Sequence, residues 1–110
     1  MNQKIKELSV ELLKTIDQTS NVNVIFFTAS WCDSCKMMYP VISRLNEERL
    51  KDVDVYIVDI DKHQELVDEL QVFSIPTTLI RFKGKTYHKE SGYRSIDLLQ
   101  KYIQMIINTF

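Results

Sequence analysis

The chain of 110 residues holds two cysteines, and both lie in "ASWCDSCK", Ala29 to Lys36. A disulfide that restrains an unfolded chain gains most by closing a long loop, and Cys32 and Cys35 close almost none. A structural staple therefore explains the pair poorly. Residues three apart on a helix share a face, with Cβ atoms roughly 5–6 Å apart, so small adjustments form or open a disulfide. A cysteine at the start of such a helix meets the positive end of the macrodipole and unpaired backbone N–H groups, which stabilise a thiolate. Cys32 is thus the expected nucleophile. Cys35, one turn further in, is expected to stay protonated until a mixed disulfide forms at Cys32, then to attack that bond and release the reduced partner. Trp31, Asp33, Ser34 and Lys36 flank the pair and are candidates for tuning it. A carboxylate at Asp33 opposes a thiolate by on the order of 1 kcal/mol at about 6 Å and an effective dielectric of about 40, whereas a Ser34 hydroxyl can donate to it. If Asp33 prevails, the reduced form is disfavoured and the couple becomes a reductant.

The elements that must carry these residues are legible in outline. "VNVIFFT" (Val22 to Thr28) is β-branched and aromatic, too short for a typical helix, and reads as a buried strand ending just before Trp31. Met38, Ile42 and Leu45 mark a helix from Cys35 to about Lys51 that Pro40 should kink; Met37, Met38 and Tyr39 read as packing on its face. Ile5, Leu8, Leu12, Leu13 and Ile16 predict an amphipathic helix over residues 4–17, with a short strand at its beginning as the alternative. Val53 to Ile60 reads as the next strand, and Asp61 followed by Gln64 as a capping box opening a short helix. "TTLIRF" and "KTYHKES" read as a hairpin turning at Lys83 and Gly84. Ser95 is the expected N-cap of a last helix reaching about Ile107, with Ile96, Leu99, Ile103 and Ile106 on one face. Leu98, Tyr102 and Met105 form a second apolar row, read as deeper burial, with a partner contact as the alternative.

Strand, long crossover and strand imply a parallel pair, to which the hairpin adds antiparallel strands, so the expected class is α/β with helices on both faces of a mixed sheet. Ligand sites in open sheets lie beyond the carboxyl ends of parallel strands, where this reading puts Trp31, Cys32 and Cys35. Residues 1–110 are expected to form a single domain. Fourteen basic against 15 acidic residues, a net charge of −1, give no electrostatic footprint for nucleic acid or an anionic membrane. Lysines and glutamates are scattered through the first 18 residues, with no apolar run suited to a signal peptide, so the expected setting is the reducing cytoplasm, where disulfides are transient and catalytic. His63 and His88 with two cysteines make a conceivable zinc set, but neither histidine lies in a short H-x₃₋₅-H arrangement. Both read as solvated, and no metal or cofactor is expected.

Taken in order, "WCDSCK", the proline at Pro40, Asp59 and Asp61 in the second strand, "SIPTTLIRFKGK" and Gly92 resemble the thioredoxin family over nearly the whole chain. The resemblance implies the thioredoxin fold and a protein disulfide reductase working by dithiol exchange on disulfide-containing proteins. It also implies recycling by a thioredoxin-reductase-like electron donor and a monomer. By the same resemblance Ile75-Pro76 is a cis peptide beside Cys32, the Ile75 backbone pairs with an extended substrate chain, and Pro76 keeps metal from the thiols. Trp31, Gly92 and Tyr93 are the further candidates for the substrate groove. The departures are specific: Asp33-Ser34 replaces the Gly-Pro of thioredoxins proper, Phe26 and Ile57 stand where the family has a buried acid and lysine, and Thr28 replaces an aromatic residue. Losing both charges together leaves none unpaired in the core. It also leaves only water or Asp33 as the base for Cys35, which keeps alive a second reading, a partner-binding module with poor redox turnover.

Overall fold

A run such as Val22–Thr28, apolar at almost every position, has no polar face to show to water and belongs at the centre of a sheet. In the computed structural model, which describes residues 4–110, it forms β2, buried at every position but Thr28. The element order is β1 (Lys6–Glu7), α1 (Val10–Ile16), β2, α2 (Asp33–Glu48), β3 (Val53–Asp59), α3 (Gln64–Glu69), β4 (Thr77–Phe82), β5 (Lys85–Ser91) and α4 (Ile96–Thr109). The sheet runs β1-β3-β2-β4-β5, with β2 in the middle. β3 lies parallel to β2 in a register that pairs Phe26 with Ile57 and Thr28 with Asp59, while β4 and β5 continue antiparallel on the other side. The expected mixed α/β sheet is present.

Alternation along β2 sends successive side chains to opposite faces, so one strand supplies two cores. Val24 and Phe26 pack with Met38, Ile42 and Leu45 of α2 and with Leu99, Ile103 and Ile106 of α4. Ile25 and Phe27 pack with Leu13 and Ile16 of α1 and Leu66 of α3. Helices thus cover both faces. At the far end of the sheet from the cysteines, the Arg81 side chain is 9% exposed; it donates to Asp17 Oδ2 at 2.9 Å, to the Gly84 carbonyl at 3.1 Å and to Thr86 Oγ1 at 2.8 Å.

Several boundaries differ from the sequence reading. The helix expected over residues 4–17 begins only at Val10, and the short strand given as the alternative precedes it. Ser9 accepts the Leu12 N–H at 3.1 Å and fixes the start, and the preceding Lys6 and Glu7 instead pair in parallel with Tyr56 and Ile57, covering part of the outer edge of β3. Ile5 and Leu8 then enter opposite cores. α2 starts at Asp33, two residues earlier than expected, and stops at Glu48. Of Met37, Met38 and Tyr39 only Met38 is buried; Met37 and Tyr39 are exposed. β3 ends at Asp59, and α3 has His63 at its N-cap without a side-chain bond, so the expected capping box of Asp61 is not formed. The Asp61 carboxylate is engaged elsewhere, as described below. Lys83 (φ 50°) and Gly84 (φ 79°) both take left-handed conformations, the geometry a two-residue hairpin prefers. Ser95 caps α4 as expected, accepting the Leu98 N–H at 3.2 Å. In the second apolar row of α4, Leu98 and Tyr102 are half-buried, with the Tyr102 ring stacked 4.0 Å from His88, and Met105 is open to solvent. Among the described residues no helix is long and apolar enough to cross a membrane.

Candidate active site

β2 ends at Thr28, and the chain turns through Ala29, Ser30 and Trp31 before α2 begins at Asp33. Cys32 is therefore the N-cap residue itself, with extended backbone, and its Sγ accepts the Cys35 N–H at 3.2 Å. Ser34 Oγ lies 3.4 Å from the same sulfur. A sulfur in this position occupies the place where a helix end best supports an anion. Cys32 and Cys35 are joined in a disulfide with their Cα atoms 5.3 Å apart. Both residues are buried, Cys32 at 6% exposure and Cys35 at 2%.

The flanking residues fall in places the spacing alone did not fix. The Asp33 side chain is 96% exposed and pairs with Lys36 Nζ at 3.3 Å. Its charge is directed into solvent and partly balanced there, and Ser34 is the polar group at the Cys32 sulfur. Trp31 is 63% exposed, and its indole N–H donates to Asp61 Oδ2 at 2.8 Å. The same turn is closed by the Asp61 N–H donating to Asp59 Oδ1 at 2.9 Å. Asp61 thus fastens the tryptophan and does not cap α3. We expect Asp61→Ala to free the indole and change the emission of this single tryptophan, while unfolding in urea shows a stability loss of no more than about 1 kcal/mol, as for one solvent-exposed hydrogen bond.

The Ile75–Pro76 bond is cis, and Pro76 is buried immediately before β4. The Pro76 carbonyl accepts the Gly92 N–H at 2.8 Å, and Gly92 holds φ 82°, a conformation that favours glycine. Trp31 and Ile75 line one groove with Ile60, Val67, Val72 and Phe73, whereas Tyr93 is exposed on the turn beyond Gly92 and does not line it. Phe73, 87% exposed with Lys89 Nζ 5.1 Å from its ring, was not singled out by the sequence; a lone aromatic in a loop carries no periodicity to mark it. Phe26 is fully buried and Ile57 half-buried, in register across β2 and β3 on the α2 side of the sheet. The histidines are not solvated as expected: both are half-buried, His88 against Tyr102 and His63 at the start of α3. Among the described residues no three His, Cys, Asp or Glu side chains converge on a metal position.

A dithiol set where a central parallel strand hands over to a helix, in a mixed five-stranded sheet closed by an antiparallel hairpin, is a dithiol–disulfide protein of the thioredoxin fold. Comparison with known proteins agrees: the family model described as Thioredoxin matches residues 4–105, and the chain belongs to the thioredoxin family. It is 30% identical over 95 residues to a thioredoxin of Listeria monocytogenes, covering 84% of this chain and 92% of that one. It is 32% identical over 77 residues to a thioredoxin of Bacillus subtilis, covering 70% and 74%. Among solved structures, a thioredoxin from Trypanosoma brucei brucei superposes with a TM-score of 0.83 at 26% identity, covering 98% of this chain and 95% of that one.

Proposed function

We propose that this protein reduces disulfides in other proteins, with Cys32 as the attacking sulfur and Cys35 as the resolving one. Family membership together with the paired cysteines makes it a thiol–disulfide oxidoreductase. The observation that carries the assignment of roles is the Cys32 sulfur at the N-cap of α2, accepting the Cys35 N–H. In the reduced protein the Cys32 thiolate attacks a substrate sulfur, a mixed disulfide forms, and one substrate thiol leaves. Cys35 then displaces the second substrate sulfur, so the protein ends as the disulfide and the substrate as a dithiol. Recycling needs two electrons from a reductase of the kind that serves the family. Trp31, Ile75, Pro76, Gly92 and Tyr93 are assigned to substrate binding, Trp31 and Ile75 within the groove and Pro76, Gly92 and Tyr93 beside it. The protein is taken to act as a monomer in the cytoplasm. A binding module with idle cysteines is not favoured, because the chain keeps the whole dithiol arrangement.

The direction of transfer rests on the family and not on Asp33, whose carboxylate is turned to solvent. Equilibration with glutathione redox buffers, followed by mass after alkylation, tests it. The expected potential lies at or below a cytosolic glutathione poise of about −220 to −260 mV; a value close to the roughly −120 mV of strong periplasmic oxidants overturns the reductive assignment. The same titration ranks the tuning residues. Ser34→Ala removes a donor from the Cys32 thiolate and is expected to lower the potential by about 20 mV, whereas Asp33→Asn is expected to move it by less than about 10 mV. A larger shift for Asp33→Asn would restore Asp33 as the dominant group.

A further inference from the structure

Resolution requires the Cys35 thiol to lose a proton at a position 2% exposed, with apolar Phe26 and Ile57 in the sheet beneath α2. Cys35 nevertheless lines an open cleft of about 330 Å³ that also reaches β1 and β3. Its charged and titratable groups are Glu7 from β1, Asp59 from β3, and Lys36 and Tyr39 from α2, and Thr28 of β2 also lines it. The register explains the gathering: Glu7 pairs with Ile57, Asp59 follows Ile57 by two residues, and Thr28 pairs with Asp59, so all three project to the α2 face of the sheet. Lys36 is engaged by Asp33, and Glu7 is exposed on the edge strand. Asp59 is half-buried, and one of its oxygens accepts the Asp61 N–H at 2.9 Å, which holds the carboxylate in place and leaves the other oxygen for a second partner. An open cleft lined by these polar groups admits water.

We propose that Asp59 is the proton acceptor for Cys35, acting through water in this cleft; the proposal rests on the dithiol reading above. With the mixed disulfide in place at Cys32, the Cys35 proton passes by way of water to the Asp59 carboxylate. The Cys35 sulfur bonds to the Cys32 sulfur, the bond between Cys32 and the substrate sulfur breaks, and the substrate leaves as a thiolate. The Asp59 proton is then returned to solvent.

The test uses the reduced protein and 5,5′-dithiobis(2-nitrobenzoate) in rapid mixing. Attack by Cys32 releases the first coloured thiolate and resolution by Cys35 the second, so the two steps are read separately. Asp59→Asn keeps an oxygen to accept the Asp61 N–H while removing the charge. It is expected to leave the first phase unchanged and to slow the second about tenfold or more at neutral pH. Its second phase should also rise about tenfold per pH unit up to the ordinary thiol range of about 8.5, where the wild type is flatter, because hydroxide must replace the lost base. Asp59→Ser, whose hydroxyl can also close the turn, should behave alike, and Glu7→Gln should stay within about twofold of wild type. Wild-type rate and pH slope in the Asp59 variants, or equal slowing of both phases, overturns the role of Asp59. Failure of the wild type to release a second thiolate would instead remove the dithiol reading itself.

Discussion

Cys35→Ser is expected to turn the protein from a catalyst into a trap. Cys32 keeps its place at the N-cap of α2, and a serine hydroxyl fills nearly the same space as the thiol, so the first attack on a substrate disulfide proceeds. The second step has no sulfur left to perform it. Reduction of a protein disulfide such as that of insulin should fall by at least about 1,000-fold, as when a covalent intermediate loses the group that clears it. The variant should accumulate as a species whose mass is the sum of protein and substrate, returned to its starting mass by dithiothreitol. Cys32→Ser should be as inactive and yet form little adduct, because Cys35 lies inside the first turn of α2, away from the N-cap position that supports a thiolate. Equal adduct formation by the two variants would show that the assignment of attacking and resolving sulfurs is wrong.

The largest expected loss of stability lies at the other end of the sheet. Asp17→Ala removes the charged partner of Arg81, whose side chain is 9% exposed, and strands a guanidinium inside the fold. Breaking a buried pair from one side costs about 3–5 kcal/mol. The Gly84 carbonyl and Thr86 hydroxyl still accept from Arg81, and Asp17 is partly open to water, so the lower end of that range is expected. For a chain of this size this amounts to a fall of roughly 10–15 °C in Tm. Removing the charge as well, in Asp17→Ala with Arg81→Met, should recover most of the loss, since an apolar side chain needs no partner there. Thermal unfolding of the single and double variants measures both; a double variant no more stable than the single one would show that the guanidinium is not what suffers.

Much of this molecule is written in short-range pattern. The unbroken apolar character of Val22–Thr28 announces a central strand, the spacing of Met38, Ile42 and Leu45 a helix face, and Ser95 a helix start, because each signal is complete within a few residues. β1 was legible only as the alternative to a longer helix, because two residues carry no period; Lys6 and Glu7 are strand because Tyr56 and Ile57, fifty positions later, offer them an edge. Asp61 was misread for a different reason. An acid three residues before a glutamine has the spacing of a cap, and nothing in that spacing reveals that a tryptophan thirty residues earlier will claim the carboxylate. Spacing placed Asp33 beside the sulfur but could not show that its carboxylate is exposed and pairs with Lys36. Arg81 gave no signal at all, since "TTLIRF" reads as an apolar strand with a polar residue near its end, and only the hairpin and Asp17 make burial of that charge tolerable. The cysteine pair, in contrast, carries its chemistry in its spacing and stayed legible throughout.

Phe26 and Phe27 are neighbours in sequence and belong to separate cores on opposite sides of the sheet. Neither face can loosen its grip on β2 without moving the ring that anchors the other, which ties the two halves of the interior into one cooperative unit. The amides of β2 are therefore expected to exchange only through global unfolding, and those of the exposed turns at Phe73 and Tyr93 faster, as hydrogen exchange would show. The strand that delivers Cys32 to the surface is, on this account, the most slowly exchanging part of the protein, and the redox pair stands on its firmest footing.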